Sequence, residues 1–461
     1  MQDRIHDFGE VEQTLNSEDR KLQAARCMDC GVPYCHWACP VVNIIPEFND
    51  LLYRGEWRKA SAVLHSTNNF PEFTGRICPA PCEDACVLTL DRAPVTIREN
   101  EAAITEIAFR EGYIQARPPL HRTGRRVAVI GSGPAGLACA DQLNRAGHLV
   151  TIFEKEDAAG GLLRYGIPDF KLNKEILDRR LNLLLAEGIE IQTDMEVGNN
   201  VDARELVDTF DAVCIAIGAE EPRDLRVEGR EFDGIHFAMD FLRQQNKLNR
   251  GLEIPYDYLI SARDKDVVVL GGGDTGSDCV GTAVRQGANS ITQIEILPQP
   301  PEAETKENPN WPFRPGTLKT TTSHEEGCTR RWSLSTRRFL GNMRQVTGLE
   351  AVQVEWEKDP EGKLHMKELP GTVEIFKAGL ILLSLGFLHP VQKGIIDRLG
   401  LKVNSSKNIL TDSQFATGHE KVFAAGDARN GASLVVSAIY SGRQAAQAIH
   451  EFLSKGEPIH P

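Results

Sequence analysis

Long hydrophobic runs are absent from this sequence. No stretch of 18 consecutive apolar residues occurs, whereas a membrane-spanning helix needs about 20 predominantly apolar residues. The first ten residues, MQDRIHDFGE, also lack the apolar core of a secretion signal. We therefore expect a cytoplasmic protein, in which cysteines stay reduced, bind metals or act as redox centres instead of forming structural disulfides.

Positively charged residues are fewer than negatively charged ones. The 52 Lys and Arg residues are outnumbered by 65 Asp and Glu, which gives a net charge of -13. A negative surface is repelled by nucleic acids and by anionic membranes, so neither is an expected partner. The chain has 461 residues, of which 41% are hydrophobic and 25% charged. These values are typical of a soluble globular protein with about two to four domains.

The 11 cysteines are unevenly distributed, and most of them lie near the beginning of the chain. This group consists of Cys27, Cys30, Cys35, Cys39, Cys78, Cys82 and Cys86. Thiolates at such short spacings are typical ligands of iron–sulfur clusters or zinc. Seven are too many for one four-coordinate zinc and one short of two four-cysteine clusters. Iron–sulfur binding is therefore the prediction, and a zinc-held interaction module without enzymatic activity is the alternative.

An eighth ligand is sought on the helix predicted to begin at Thr96, where Thr96 and Glu99 fit a capping box. Glu101 lies on the apolar stripe of this helix. A carboxylate buried beside apolar groups is costly unless it is paired or coordinated. The pattern leaves two alternatives open, namely a salt bridge to Arg76 or Arg98 and coordination of a metal.

A glycine-rich turn follows the predicted strand Arg125–Ile130. Gly131, Gly133 and Gly136 open a helix, and the next strand closes on Glu154. Glycines let backbone N–H groups at a helix N-terminus approach a pyrophosphate, and the acid accepts a hydrogen bond from a ribose hydroxyl. The alternative is a tight turn without a ligand.

The same layout recurs after the predicted strand Asp266–Leu270. Its glycine turn contains Gly271, Gly273, Asp274, Thr275 and Gly276, and a second strand is predicted near Ile291–Ile296. Two such turns in one chain predict two bound nucleotides, one flavin and one nicotinamide.

Three long segments resemble the glutamate synthase small (beta) subunit family. The segments GSGPAG and FEKEDAAGGLLRYGIPDFKL resemble its FAD half, VVVLGGGDTGSDCVGTAVRQGA its nicotinamide turn, and FAAGDARNGASLVVSAIYSGRQAA its C-terminal flavin motif. The resemblance implies an α/β fold with two Rossmann-like three-layer domains, for FAD and NAD(P)H, preceded by an α-helical double [4Fe–4S] domain. It adds Gly161, Leu162, Gly426 and Asp427 to the expected FAD contacts.

The resemblance also implies the domain limits and the ligand sets. Residues 1–120 would form the iron–sulfur domain, residues 121–255 and 389–461 the FAD domain, and residues 256–388 an inserted NAD(P)H domain. Carried over from the family and from the similar N-terminal domain of dihydropyrimidine dehydrogenase, one cluster would be held by Cys27, Cys30, Cys78 and Glu101. The other would be held by Cys35, Cys39, Cys82 and Cys86. Thr74 stands where some relatives have a further cysteine, which favours Glu101 as a ligand.

The expected activity follows from the cofactors. A nicotinamide donates electrons in pairs and clusters accept them singly, so FAD is needed between them. The family implies an electron-input subunit that oxidises NAD(P)H and supplies a large FMN-bearing subunit, which makes glutamate from glutamine and 2-oxoglutarate. A related subunit serving ferredoxin, a hydrogenase or dihydropyrimidine dehydrogenase is the alternative. This half-reaction demands no general acid or base, so we predict no catalytic side chain.

The preferred nicotinamide is left open by the sequence. Glu295 lies near the end of the second strand, and Lys306 is the only basic residue in the loop from Ile296 to Phe313. An NADP site usually has an arginine for the 2′-phosphate, so the residues favour NADH. Arg330 and Arg331 could nevertheless fold back toward the site, and many bacterial relatives are assigned NADPH.

Overall fold

A computed structural model describes residues 2–302, 311–313, 316–359, 361–362 and 364–454. Within these ranges no helix is both long and apolar enough to cross a membrane. Lys306 lies outside the described residues, together with the rest of residues 303–310 in the loop that follows β7.

The first part of the chain is helical and brings the clustered cysteines into the connections between short helices. The helices are α1 (Ser17–Ala25), α2 (Tyr34–Ala38), α3 (Ile45–Tyr53), α4 (Trp57–Thr67), α5 (Pro71–Ile77), α6 (Pro81–Asp84) and α7 (Ile97–Arg110). Prolines at the starts of α3, α5 and α6 suit first-turn positions, whose N–H groups have no partner within the helix. Fully buried Phe48, Leu64, Phe73 and Ile104 form the centre of this unit.

Helix α7 begins as predicted, with Thr96 at the N-cap, but the capping box is wrong. The Thr96 side chain makes no capping hydrogen bond. Glu99 instead accepts hydrogen bonds from the Leu15 backbone N–H and from Arg20, both at 2.9 Å. The carboxylate therefore ties the segment before α1 to α7.

Two parallel sheets follow. The first stretch supplies β1 (Arg126–Ile130), α8 (Pro134–Arg145), β2 (Leu149–Phe153), α9 (Leu162–Tyr165), α10 (Lys174–Ala186), β3 (Glu190–Gln192), α11 (Ala203–Thr209) and β4 (Ala212–Ile215). The next supplies β5 (Ile235–Phe237), α12 (Ala238–Asn249), β6 (Asp266–Leu270), α13 (Asp274–Gln286), β7 (Ser290–Ile294), α14 (Thr322–Gly327), β8 (Thr329–Arg331), β9 (Leu334–Asn342), β10 (Gln345–Lys358), β11 (Leu364–Lys377) and β12 (Leu380–Leu383). The chain then forms α15 (Ile395–Leu399), β13 (Val422–Ala424), α16 (Asp427–Asn430) and α17 (Val435–Ser454).

The first sheet has the order β13-β4-β1-β2-β3 and the second the order β5-β12-β6-β7-β8, with parallel pairing throughout. Alternate residues of β1 enter two different hydrophobic clusters. Val127 and Val129 pack with α8 and α17, while Ala128 and Ile130 pack with α11 and α15. Helices thus cover both faces of the first sheet, and the α/β fold class with a preceding helical domain is confirmed.

Two features differ from the expectations. Strand β5 pairs with β12, so the limit of 255 for the first FAD segment is too late, because Ile235–Phe237 belongs to the second sheet. This strand has three residues and gives no periodic signal. The antiparallel sheet β11-β10-β9 was not predicted at all, and β11 is exposed along most of its length.

Candidate functional site

The three glycines of the first turn have different structural roles. Gly131 has φ +100°, and a Cβ there would lie 2.5 Å from the Ala216 carbonyl oxygen. A Cβ on Gly136 would lie 2.0 Å from the Gly131 carbonyl oxygen. A Cβ on Gly133 would meet nothing within 4 Å. Gly131 and Gly136 are therefore needed to build the turn, whereas Gly133 leaves space for a ligand to approach the backbone at the start of α8.

Glu154 is fixed against this turn. It is buried, and its carboxylate accepts hydrogen bonds from the Ser132 N–H at 3.0 Å, from the Ser132 hydroxyl, and from the Glu156 N–H at 2.9 Å. The Ser132 hydroxyl in turn accepts from the Gly160 N–H at 2.8 Å. A carboxylate has about four acceptor positions, so Glu154 keeps capacity for a ribose hydroxyl. Sequence reasoning missed Ser132 and Gly160, although the Gly160–Gly161 pair was a usable signal.

A large cavity opens at this turn. It contains about 1290 Å³ of empty space, a volume that includes its open mouth. The predicted residues on its wall are Gly131, Gly133, Glu154, Gly161, Leu162 and Asp427. The open backbone at Gly133 and the Glu154 carboxylate on the same wall fit a dinucleotide such as FAD. We refer to it as the dinucleotide cavity.

The remaining predicted FAD contacts shape the wall. Gly161 has φ +53°, and a Cβ there would lie 2.8 Å from the Gly133 Cα. The Gly426 N–H donates to the Ser441 hydroxyl at 2.8 Å. Burial raises the pKa of Asp427, whose carboxylate accepts a hydrogen bond from the Ser433 hydroxyl at 2.6 Å.

The second glycine turn repeats the geometry of the first. A Cβ on Gly271, where φ is +116°, would lie 2.1 Å from the Ser384 carbonyl oxygen, and a Cβ on Gly276 would lie 2.3 Å from the Gly271 carbonyl oxygen. A Cβ on Gly273 would again meet nothing within 4 Å. Asp274 at the start of α13 is exposed and pairs with Lys319 at 2.7 Å. The adjoining Thr275 is half-buried.

A histidine network supports this second turn and was missed by sequence reasoning. The Gln293 amide donates to the Gly271 carbonyl at 2.9 Å, and the Thr321 N–H donates to Nδ1 of His324 at 3.1 Å. Nε2 of His324 therefore carries the proton and donates to the Gln293 carbonyl oxygen at 2.9 Å. Burial lowers the pKa of His324 to about 4, which keeps the ring neutral. Gly271, Gln293 and His324 come from separate elements, so no local sequence pattern predicts their contacts.

The clustered cysteines form two groups, each lining a separate cavity. The outer group consists of Cys27, Cys30, Cys35 and Cys86 around about 400 Å³ of empty space. The inner group consists of Cys39, Cys78, Cys82 and Glu101 around about 300 Å³. This grouping differs from the predicted ligand sets, which placed Cys78 and Glu101 with Cys27, and Cys86 with Cys39. Because the chain turns after α2, Cys39 lines a different cavity from Cys27, Cys30 and Cys35. The fourth cysteine of a ferredoxin-type run likewise serves the other cluster.

Both groups fit iron–sulfur clusters. Burial raises the pKa of Cys35 and of Cys78 to about 12 and that of Cys39 to about 11. These sites therefore disfavour the charged thiolates, which bound iron would stabilise. Within the described ranges, no three His, Cys, Asp or Glu side chains are grouped as ligands of a single metal ion. In a [4Fe–4S] cluster each ligand binds a different iron atom, so the ligand atoms lie further apart than the ligands of a single metal ion.

Glu101 lies in the inner group with 5% of its surface exposed. It accepts hydrogen bonds from the Asn43 amide and, at 3.1 Å, from the Thr74 hydroxyl. Burial raises its pKa to about 8. The salt bridge that the sequence left open is not found here, since Arg76 pairs with glutamates 10 and 106 and Arg98 with glutamate 12. Glu101 is therefore available as the fourth donor beside three cysteines.

One helix end separates the inner group from the dinucleotide cavity. Val436 lines the cavity of the inner group, and Ala438 lines the dinucleotide cavity. Both residues lie in the first turn of α17. The two candidate cofactor sites are thus divided by a single helical turn.

Family profiles match both parts of the chain. Residues 4–113 match the family described as "Dihydroprymidine dehydrogenase domain II, 4Fe-4S cluster". Residues 125–311 and 338–442 match the family described as "Pyridine nucleotide-disulphide oxidoreductase". The helical part and the two parallel sheets therefore correspond to separate known families.

Curated relatives match nearly the whole chain. The glutamate synthase [NADPH] small chain of Mycobacterium tuberculosis is 47% identical over 98% of this chain and 92% of its own length. That of Bacillus subtilis is 43% identical over 98% and 94%. Glutamate synthase [NADH] of Saccharomyces cerevisiae is 46% identical over 99% of this chain, which covers 22% of the yeast protein.

Among solved structures, Mycobacterium tuberculosis FprA in complex with NADPH is similar to this chain, with a TM-score of 0.57 and 17% identity. The similarity covers 72% of this chain and 86% of FprA. At this identity the likeness supports the fold alone.

Proposed function

The chain belongs to the glutamate synthase small-chain family, and we propose that it is the electron-input subunit of such an enzyme. It oxidises NAD(P)H through FAD and passes electrons through [4Fe–4S] clusters to a large FMN-bearing subunit. That partner makes glutamate from glutamine and 2-oxoglutarate, and the two chains form a hetero-oligomer.

In this proposal each cofactor has its own residues. FAD occupies the dinucleotide cavity, and NAD(P)H binds at the turn from Gly271 to Gly276. The outer and inner groups each hold one [4Fe–4S] cluster, with Glu101 as the non-cysteine ligand. FAD, when bound, accepts a hydride and releases single electrons. The helical domain of residues 1–120 carries the clusters, and β5 joins the NAD(P)H domain inserted into the FAD domain.

The observation that carries the proposal is the position of α17. Because Val436 borders the inner group and Ala438 borders the dinucleotide cavity, electrons have only a helical turn to cross between the two sites. Cys39, Cys78 and Cys82 are buried, whereas Cys27, Cys30, Cys35 and Cys86 are half-buried. This gradient supports an order in which the inner group receives electrons from the flavin and the outer group delivers them.

The surface around the outer group supports docking of the large subunit there. Four apolar side chains near these cysteines are strongly exposed, and we call them the apolar rim. They are Met28, Val32, Trp37 and Leu90, with 54%, 58%, 79% and 62% of their surfaces exposed. Each lies within four residues of a cysteine of the outer group along the chain, and exposed apolar side chains concentrated in one region mark interaction sites. In the yeast relative the matching region is part of a much longer chain. This covalent fusion supports the proposal that the present chain works together with a large partner.

The test uses anaerobically purified chain with and without the large subunit. We expect NADH or NADPH to reduce an artificial dye with the chain alone, and glutamate to form only when the large subunit is added. Trp37→Asp should abolish glutamate formation and spare dye reduction. Tyr256→Asp, at a residue 88% exposed elsewhere, should change neither. Normal glutamate formation by the Trp37 variant would refute docking at the rim. An acceptor such as ferredoxin working in place of the large subunit would favour the alternative function.

A further inference from the structure

Glu295 repeats in the second parallel sheet the position that Glu154 has in the first. Each follows the second strand of its unit. Oε2 of Glu154 accepts from the Ser132 N–H at 3.0 Å, and Oε2 of Glu295 accepts from the Gly272 N–H at 2.6 Å. The other oxygen of each carboxylate accepts from the backbone N–H two residues further on, at 2.9 and 3.1 Å. The two acids are therefore held in the same way.

This geometry places a negative charge directly beside the turn. A Cβ on Gly272 would lie 2.8 Å from Oε2 of Glu295. A ribose 2′-hydroxyl can donate a hydrogen bond to the carboxylate, which has acceptor positions left. A 2′-phosphate has a charge of about -1.5 to -2 and cannot donate in its dianionic form, so the same carboxylate repels it.

The two arginines that the sequence offered as phosphate ligands have partners in the described part of the chain. Arg331 forms a bidentate pair with Glu374 at 2.6 and 2.8 Å. Arg330 donates to the Lys319 carbonyl at 3.0 Å, and the Lys319 ammonium pairs with Asp274. These contacts hold both arginines to other parts of the protein.

We propose that Glu295 makes this chain selective for NADH over NADPH by accepting the adenosine 2′-hydroxyl and excluding a 2′-phosphate. The proposal rests on the proposed function in one respect, namely that the nicotinamide nucleotide binds at the turn from Gly271 to Gly276. The names of the relatives include both NADPH and NADH, so they do not decide which nucleotide this chain prefers.

The first experiment measures binding of two redox-inert probes, ADP-ribose and 2′-phospho-ADP-ribose, to the FAD-loaded holoprotein by calorimetry. We expect ADP-ribose to bind at least about tenfold more tightly. In dye-reduction assays, kcat/KM should likewise be higher for NADH than for NADPH. Tighter or equal binding of the 2′-phosphorylated probe would overturn the proposal.

Variants assign the preference to the side chain. Glu295→Gln should lower the probe ratio at least about tenfold, chiefly by improving binding of the 2′-phosphorylated probe. Glu295→Ser is a second variant, because the glutamine amide can turn a donor toward a backbone N–H and disturb the turn. Glu355→Gln, an exposed acid on the antiparallel sheet, is the control and should leave the ratio unchanged.

The outcomes separate this inference from the proposed function. An unchanged ratio in both Glu295 variants would overturn the role of Glu295. Selective binding of ADP-ribose without any flavin reduction by NADH or NADPH would support the inference and contradict the proposed electron-input function.

Discussion

Glu72 of α5 and Arg180 of α10 form a buried ion pair between the cysteine-bearing helices and the first parallel-sheet domain. Their side chains are 0% and 2% exposed, and two contacts of 2.5 and 3.1 Å join the guanidinium to the carboxylate. Helix α5 ends just before Cys78 of the inner group. This pair therefore helps to fix the inner group relative to the flavin-type domain.

Breaking this pair on one side should be costly. Arg180→Met leaves the Glu72 carboxylate buried without its partner, and we expect the free energy of unfolding to fall by about 3–5 kcal/mol. The double variant Glu72→Gln/Arg180→Met should recover part of this loss, because no unpaired charge remains. Denaturant unfolding followed by circular dichroism measures both. Arg337→Met, which breaks an exposed pair with Glu368, should leave the midpoint unchanged. Equal losses in the single and double variants would contradict the argument.

Two neighbouring glycines should respond differently to a methyl group. Gly133→Ala adds a Cβ that meets no protein atom, so the apoprotein should keep its stability while FAD retention falls, because the methyl occupies space open to the ligand. Gly136→Ala places a Cβ 2.0 Å from a backbone carbonyl and should destabilise the fold itself, by about 1–3 kcal/mol or more. Bound flavin per chain and thermal unfolding of the apoprotein separate these effects. Full FAD content in the Gly133 variant would argue against ligand approach at this residue.

The grouping of cysteines can be tested with paired substitutions. Cys27→Ala/Cys86→Ala removes two ligands of one group and should leave about half of the iron and sulfide. Cys39→Ala/Cys86→Ala affects both groups and should leave almost none. The ligand sets first implied by the family resemblance predict the reverse order. Iron and acid-labile sulfide per chain after anaerobic purification therefore decide between the two arrangements.

Glu101 should behave as a ligand of one cluster only. Glu101→Ala is expected to lower the iron content or to change one cluster's electron paramagnetic resonance signal, because the inner group would keep only its three cysteines. Glu111→Ala, at an exposed acid just after α7, provides the control. Iron content and spectra identical to those of the unchanged protein would rule Glu101 out.

His324 should make stability depend on pH. Burial lowers its pKa in the folded protein to about 4, whereas an unfolded histidine has a value of about 6.5. As pH falls through this window the unfolded chain takes up the proton first, so stability is complete above about pH 7 and declines toward pH 4. His324→Gln should reduce this decline by roughly 1–3 kcal/mol. Urea unfolding at pH 7 and pH 4.5 measures it, and an undiminished decline would show that His324 does not titrate in this way.

The local features were predictable and the non-local ones were not. Strand β6 matches the predicted Asp266–Leu270, and β1 begins one residue after the predicted Arg125, because a buried strand followed by a glycine turn is a signal carried by adjacent residues. The ligand sets depend on how the loops around α2, α5 and α6 meet in space. The cysteine spacing identified the ligand type but not the partition, and the Gln293–His324 network joins residues 31 positions apart.

The most direct test of the central claim adds NADH to anaerobically purified protein made with ample iron and riboflavin. Absorbance and electron paramagnetic resonance are recorded before and after the addition. The account predicts bound FAD and iron, loss of flavin absorbance on addition of NADH, and the appearance of reduced-cluster signals. Protein that emerges without FAD, or with zinc in place of iron, or whose clusters stay oxidised while the flavin is reduced, would contradict it.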